Sequence, residues 1–335
     1  MFHNQSLNEL LKIAKKKKVE VIYFDAFLLF MPGIKYNKNK VNYYKRKKSY
    51  GYMSGKNLFS NIYLRESFSD SACLMMIDRV WLNINTIRFI EGIIYEDCIF
   101  SIQVMMKANR AYHINKQYYI YRIRANSTMT TKVKPINLYS RIICYRELIK
   151  IFTFEQLTIY QQKAIFKFIK MIERNIKKIK KKINKFEWKY FFEKKSMTKY
   201  EKILLNLVVG FQKKNNNKIS PNIKKIWKLF NSNNIEIYGI DNQGINLFNY
   251  FNLINKTESI KGFIDPNSKS NKSILKGKNI KNINDDKNIK KNEILIIAGE
   301  NEKEKEINKL KDMGYKNIII LDKNLKKILS ILFNN

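Results

Sequence analysis

The sequence predicts an α/β protein in three parts, and three observations carry that expectation. Near the C-terminus, four short apolar runs alternate with helical stretches: IEIY (235 to 238), IKGFI (260 to 264), ILIIA (294 to 298) and NIIIL (317 to 321). Such an order calls for parallel strands joined by crossover helices. From 135 to 230 breakers are few, and Ile165, Ile169, Ile172, Ile176, Ile179, Ile183 and Phe186 step by four and three residues, which places them on one helical stripe. The first part, 1 to 134, mixes strand and helix signals.

In chain order, a helix is expected from Leu7 to Ala14, then a buried strand VEVIYF from Val19 to Phe24. A basic loop follows around Tyr43 to Tyr52, with Gly51 and Gly55 as breakers. Then come the segment Leu74 to Leu82, a helix opening at Glu96-Asp97 and running to about Asn109, and a strand YYIYRI from Tyr118 to Ile123. The middle region, 135 to 230, is helical, with lysines on the faces the isoleucine stripe leaves free. Such a stripe packs on a neighbouring helix; the same helix can also lie on an anionic membrane surface, because lysine stems reach past a packed stripe. In the last part, 231 to 335, helices fall at Gly244 to Leu253 and Glu302 to Met313, and the Lys-rich stretch Asn282 to Asn292 is a surface connection.

With 335 residues and 45% apolar content, the chain has material for two ordinary domains. Sixty-five basic residues stand against 28 acidic ones, a formal charge of +37 that invites a nucleic-acid reading. Its composition argues against that reading, because 55 of the cations are Lys and 10 are Arg. Arg carries the planar fork suited to phosphates and base edges. A surplus of Lys, Asn and Ile matches AT-rich coding and a solvated surface. Three scattered cysteines and two histidines supply neither a disulfide framework nor a local zinc motif, and the expected compartment is the cytosol. No run reaches the ~20 apolar residues of a membrane span, and the N-terminus lacks a signal-peptide layout, so membrane contact is expected to be peripheral.

Two segments could carry chemistry. After the strand at 235 to 238, Gly239-Ile240-Asp241-Asn242-Gln243-Gly244 follows the G-x-G-x-x-G register of dinucleotide folds, with Asp241 at the middle glycine. Asp265 ends the next strand where a ribose-binding acid would stand, so Gly239, Gly244 and Asp265 are the candidate cofactor-binding residues. The segment from Arg88 to Ser127 orders an acidic pair at a helix start, an apolar helix, a strand, and Arg122 and Arg124 at its end. Glu96 and Asp97 favour a helix N-terminus through the macrodipole alone. A carboxylate held there can also take the proton from an attacking hydroxyl while arginines hold phosphate oxygens.

Phe89, Gly92, Glu96, Asp97, Tyr119, Tyr121, Arg122, Arg124 and Ser127 stand in an order that resembles the acceptor-side half of bacterial family 2 glycosyltransferases of the GT-A fold. The resemblance covers residues 5 to 133. It implies that the first part is the C-terminal half of a GT-A domain, with Asp97 as catalytic base, Glu96 as its companion, and Arg122, Arg124 and Ser127 near the sugar diphosphate or the acceptor. Family members precede this half with a nucleotide-binding half ending in Asp-x-Asp, which holds a divalent ion, Mg or Mn. This chain contains no Asp-x-Asp, and Asp285-Asp286 lies in the last part. The expectation is a chain that begins just after that motif: a fragment, a late start, or a chain that needs a partner. The last part is similar to the small Rossmann-like domain appended to surface-sugar transferases.

The function expected from the resemblance is inverting transfer of a sugar from a nucleotide-sugar donor to a cell-surface glycan or lipid-linked acceptor, at the inner face of the cytoplasmic membrane. A truncated, inactive remnant or accessory sugar-nucleotide-binding chain is the alternative. A basic nucleic-acid-binding protein is the third reading, resting on charge alone.

Overall fold

A computed structural model describes residues 2 to 184, apart from 3–4, 35–37, 126 and 128–130, together with 187, 191, 225–226, 228–230, 232–253, 256–265, 274–283, 294–297, 304–322, 325–326 and 328–329. Phe186, Asp285 and Asp286, singled out above, lie outside the described residues, as does most of the expected connection from 282 to 292. The chain divides into two compact units, Met1–Met197 and Thr198–Asn335. Both are mixtures of helix and strand, so the protein is of the α/β class.

The first unit runs α1 (Ser6–Lys17), β1 (Val21–Phe30), α2 (Lys38–Tyr44), β2 (Gly51–Met53), α3 (Gly55–Arg65), β3 (Met75–Ile77), α4 (Arg79–Ile84), α5 (Glu96–Lys107), β4 (Ala111–Ile123), α6 (Pro135–Phe154) and α7 (Ile159–Lys182). Its sheet has the order β2-β4-β1-β3, with the long central pair β1 and β4 parallel and the two short outer strands antiparallel. Both central strands are longer than their apolar runs predict. The register between them shifts beside Asp25, where β4 passes from Ile114 to Gln117, and this bulge breaks the period-two pattern that reveals a strand.

Against the sheet lies a helical layer. Tyr23 of β1 stacks on Phe68 at 5.2 Å, Phe68 meets Phe59 of α3 edge-on, and Phe59 meets Phe168 of α7. The expected isoleucine stripe is therefore a packing face: Ile165, Ile169, Ile172, Ile176 and Ile183 are buried, while Lys163, Lys167, Lys170, Arg174, Lys178 and Lys181 face water. Gly55, which reads as a breaker, opens α3, and there is no room for a side chain. A Cβ there would sit 2.3 Å from the Met105 carbonyl oxygen of α5. Gly55→Ala is expected to cost about 1–3 kcal/mol as the two helices are forced apart. Chemical denaturation checks this, and an unchanged midpoint would refute it.

One polar group is sealed into this core. Asp25, Arg46 and His113 are each at most 1% exposed. Arg46 Nε lies 3.0 Å from Asp25 Oδ1, and the Arg46 backbone N–H donates to Oδ2 at 2.6 Å. The guanidinium also donates to the Tyr23 hydroxyl at 2.6 Å, the Ser67 carbonyl at 3.1 Å and the Tyr43 carbonyl at 3.1 Å. Tyr50 N–H donates to His113 Nδ1 at 3.2 Å, which leaves the imidazole proton on Nε2, 3.4 Å from Asp25 Oδ1. Burial holds His113 below the ordinary imidazole range despite that carboxylate. The group fastens the segment carrying α2 onto β1.

The second unit contains β5 (Ile235–Tyr238), α8 (Asn242–Leu253), β6 (Ile260–Ile264), β7 (Ile274–Leu275), β8 (Lys278–Lys281), β9 (Ile294–Ile297), α9 (Glu304–Asp312) and β10 (Asn317–Ile320). Strand order is β10-β9-β5-β6-β8-β7, parallel throughout except for the β7–β8 hairpin. The first strand is central and the chain winds outward both ways, the doubly wound arrangement. The four expected strands are all present. Hairpin strands β7 and β8 are too short and polar to be read from sequence.

Candidate functional site

Glu96 and Asp97 are the first two residues of α5, both half-buried. The residue before them, Tyr95, is left-handed at φ 67°, an uncommon state for a bulky side chain. That turn aims the first residues of α5 toward the loop ahead of β3. There the Asp97 carboxylate accepts the backbone N–H of Ala72. Burial raises the Asp97 carboxyl to about 6; the Ala72 hydrogen bond opposes this, and the charges of Glu96 and Asp70 add to it.

Asp70 is a member of this site that motif reading missed. Tyr43 of α2 donates its hydroxyl proton to Asp70 Oδ1. The Asp70 backbone N–H returns a bond to that hydroxyl at 3.2 Å, and Ser101 of α5 donates to the Asp70 carbonyl at 2.8 Å. Since Arg46 holds the Tyr43 carbonyl, the buried group on β1 is tied to Asp70, and Asp70 lies within electrostatic reach of Asp97.

An aromatic row lies beside these acids. Tyr43 meets Tyr44 edge-on at 5.0 Å, Tyr44 lies 4.6 Å from Tyr121 of β4, and Tyr121 lies 6.4 Å from Tyr119, whose hydroxyl pairs with the exposed Cys73 thiol. Burial drives the Tyr43 and Tyr44 hydroxyls far above the phenol range, so both are donors at any working pH. Tyr43 and Tyr44 spend those protons on Asp70 and Tyr121, so what the row offers a ligand is ring face, suited to the apolar face of a sugar or to a base.

The other expected residues lie further along. Arg122 is exposed at the end of β4, on the strand face opposite to Tyr121, and Arg124 is exposed just beyond it. Ser127 is half-buried in the following loop and accepts the Thr131 N–H through its carbonyl at 3.0 Å. Among the described residues Arg122 makes no ion pair with Glu96 or Asp97, and its charge acts on the Tyr119 hydroxyl instead. The cation that does stand behind the acid pair is Arg141 of α6, its guanidinium 3.8 Å from the centre of the Tyr95 ring. Asn137, Ser140, Arg141 and Cys144 repeat at three and four residues, a polar line along one face of the helix. That spacing was the available signal.

Among the described residues, no group of three or more His, Cys, Asp or Glu side chains is placed to hold a metal ion. The described residues therefore supply no three-donor set for the divalent ion that the resemblance implies. No described helix is long and apolar enough to cross a membrane.

In the second unit, Gly239 follows β5 at φ +95°, and its N–H donates to Ile264 O at 2.9 Å. Gly244 sits in the first turn of α8, where a Cβ would lie 2.2 Å from the Gly239 carbonyl oxygen. These are the backbone approaches for which the register of glycines exists. Between them Asp241 caps the helix: its Oδ1 accepts the N–H groups of Gln243 at 3.0 Å and Gly244 at 2.9 Å. The helix start that would receive a phosphate is thus occupied by the chain's own carboxylate. Asp265, after β6, donates its backbone N–H to the Lys281 carbonyl at 3.0 Å.

No family profile matches the chain, and no curated protein sequence matches it. Among solved structures, residues 1–349 of S. aureus TarS in complex with UDP-GlcNAc match with 14% identity and a TM-score of 0.35, covering 63% of this chain and 53% of that one. The complex with UDP matches at 12% identity and a TM-score of 0.37, covering 62% and 51%. A longer TarS structure matches at 13% and 0.38, covering 68% of this chain and 35% of that one. The chain thus spans about half or less of each of these matched proteins, and at these TM-scores the overlap places no residue on a neighbour's site.

Proposed function

We propose that this chain carries the acceptor-side machinery of a nucleotide-sugar-dependent glycosyltransferase acting on a cell-surface glycan or lipid-linked acceptor. The observation that carries the reading is Asp97, a half-buried carboxyl at a helix start, raised to about 6 beside a row of tyrosines. A base poised near the working pH combines a large ionised fraction with a useful proton affinity. Asp97 takes the proton of the acceptor hydroxyl as its oxygen attacks the anomeric carbon. The bond from that carbon to the nucleoside diphosphate breaks with inversion, and the diphosphate leaves with the electron pair. Glu96 and Asp70 keep Asp97 basic, the tyrosines hold sugar faces, and Arg122, Arg124 and Ser127 meet the diphosphate or the acceptor. No step here runs through a metal ion. The exposed cationic side of α7 fits the anionic inner face of the cytoplasmic membrane, where a lipid-linked acceptor resides.

The test is release of nucleoside diphosphate from a panel of UDP-, GDP- and dTDP-sugars across a pH series. Because the carboxylate is the active form, kcat is expected to rise with pH through a midpoint near 6 and level off above it. A flat profile would remove Asp97 as base. Binding of a donor without any release would favour the accessory, non-enzymatic chain.

A further inference from the structure

Four contacts from one helix converge on the two residues ahead of Glu96-Asp97. Ile94 N–H donates to Ser140 Oγ at 3.0 Å, and Asn137 Nδ2 donates to the Tyr95 hydroxyl at 2.6 Å. Arg141 lies over the Tyr95 ring at 3.8 Å, and Cys144 Sγ donates to the Tyr95 carbonyl at 3.6 Å. The helical spacing of 137, 140, 141 and 144 puts all four on one face of α6, and Ser140 and Cys144 are fully buried. Asn137 is itself oriented, because its Oδ1 accepts the Lys134 N–H at 2.8 Å.

The grip is directed at a strained residue. A left-handed bulky residue costs about 1–2 kcal/mol and persists only where its surroundings over-determine it. The Arg141 guanidinium is an expensive way to hold a ring, since its Nη1 is buried and finds no hydrogen-bond partner among the described residues. Burial works against the Arg141 charge, and the Asp70 carboxylate nearby favours it. A leucine would pack there at less cost, so neither packing nor hydrogen bonding explains this cation. Its guanidinium lying over the ring at 3.8 Å, within electrostatic reach of Asp70, does.

We infer that α6 is the positioning element of the acid pair: Arg141, with Asn137, Ser140 and Cys144, locks Tyr95 left-handed and so fixes where the Asp97 carboxyl sits and how much water reaches it. Arg141 acts through Tyr95 and is a positioning residue, not a catalytic one. The inference rests on the reading of Asp97 as the working carboxylate, and its test needs no turnover.

The experiment is titration of the Asp97 carboxyl by 13C NMR in the full chain, its resonance assigned by loss in Asp97→Asn. In Arg141→Met the turn relaxes and water reaches the carboxyl, so its midpoint is expected to fall by about one pH unit toward the ordinary carboxylate range. Arg141→Lys is the second variant. It keeps the charge the fold uses but lacks the planar group, and the same fall is expected. Arg174→Met, on the exposed side of α7, is the control and leaves the midpoint in place. A wild-type midpoint in folded Arg141→Lys overturns the inference whatever Arg141→Met does. Failure of the catalytic reading would appear separately, as unchanged nucleotide release in Asp97→Asn.

Discussion

Asp97→Asn is expected to lower the kcat for nucleoside diphosphate release by about 10²–10⁴, the usual contribution of a positioned general base. The amide keeps the size of the side chain and still accepts the Ala72 N–H, but it cannot take a proton. The same change is expected to raise Tm at pH 7.5. The Asp97 carboxyl sits above its unfolded value in the folded chain, so its ionised form costs stability at pH values above about 6. That cost vanishes below the unfolded value, near pH 4, where both states hold the proton. Removing the charge relieves it, so the stability gain should disappear as pH falls to about 4. Lost turnover together with a raised Tm separates a missing base from a damaged fold. Turnover within a factor of about three of wild type would rule out Asp97 as base.

Arg46→Met is expected to be the most damaging single change to the first unit. It leaves the Asp25 carboxyl fully buried without its guanidinium partner, and truncating one partner of a buried pair costs about 3–5 kcal/mol. Chemical denaturation of Arg46→Met, Asp25→Asn and the double variant forms a cycle. The double variant should be markedly more stable than the two single losses added together, because the second change removes the orphaned charge. Additive losses would mean that the pair is not coupled. A folded Arg46→Met chain is also expected to lose order around Tyr43 and Asp70, since the guanidinium holds the Tyr43 carbonyl.

The sequence made the second unit legible nearly in full. Its central strands β5 and β9 are short, rich in isoleucine and buried on both faces, so composition alone separates them from the helices between. The first unit was legible where periodicity ruled, as in the stripe of α7 and the apolar run of α5. It was opaque where pairing overrode periodicity: β4 carries His113 to Gln117 through a bulge, and no alternation survives there. The helix start at Glu96-Asp97 could be read from the order of residues in the chain. Asp70 and Tyr43 could not, because a polar residue in a loop becomes part of a site only when distant segments meet, here 27 residues apart. Arg141 lies 44 residues beyond Asp97, in a helix whose apolar content reads as ordinary core.

Asp241 has a consequence for anything that would bind the start of α8. Its carboxylate is tethered two and three residues from the amides it caps, so it competes as a built-in ligand at an effective concentration on the order of molar or higher. A phosphate arriving at millimolar concentration must expel that group and then share the turn with its charge. The helix start in the second unit thus already holds its own competitor, and the doubly wound topology says little about what else could occupy it.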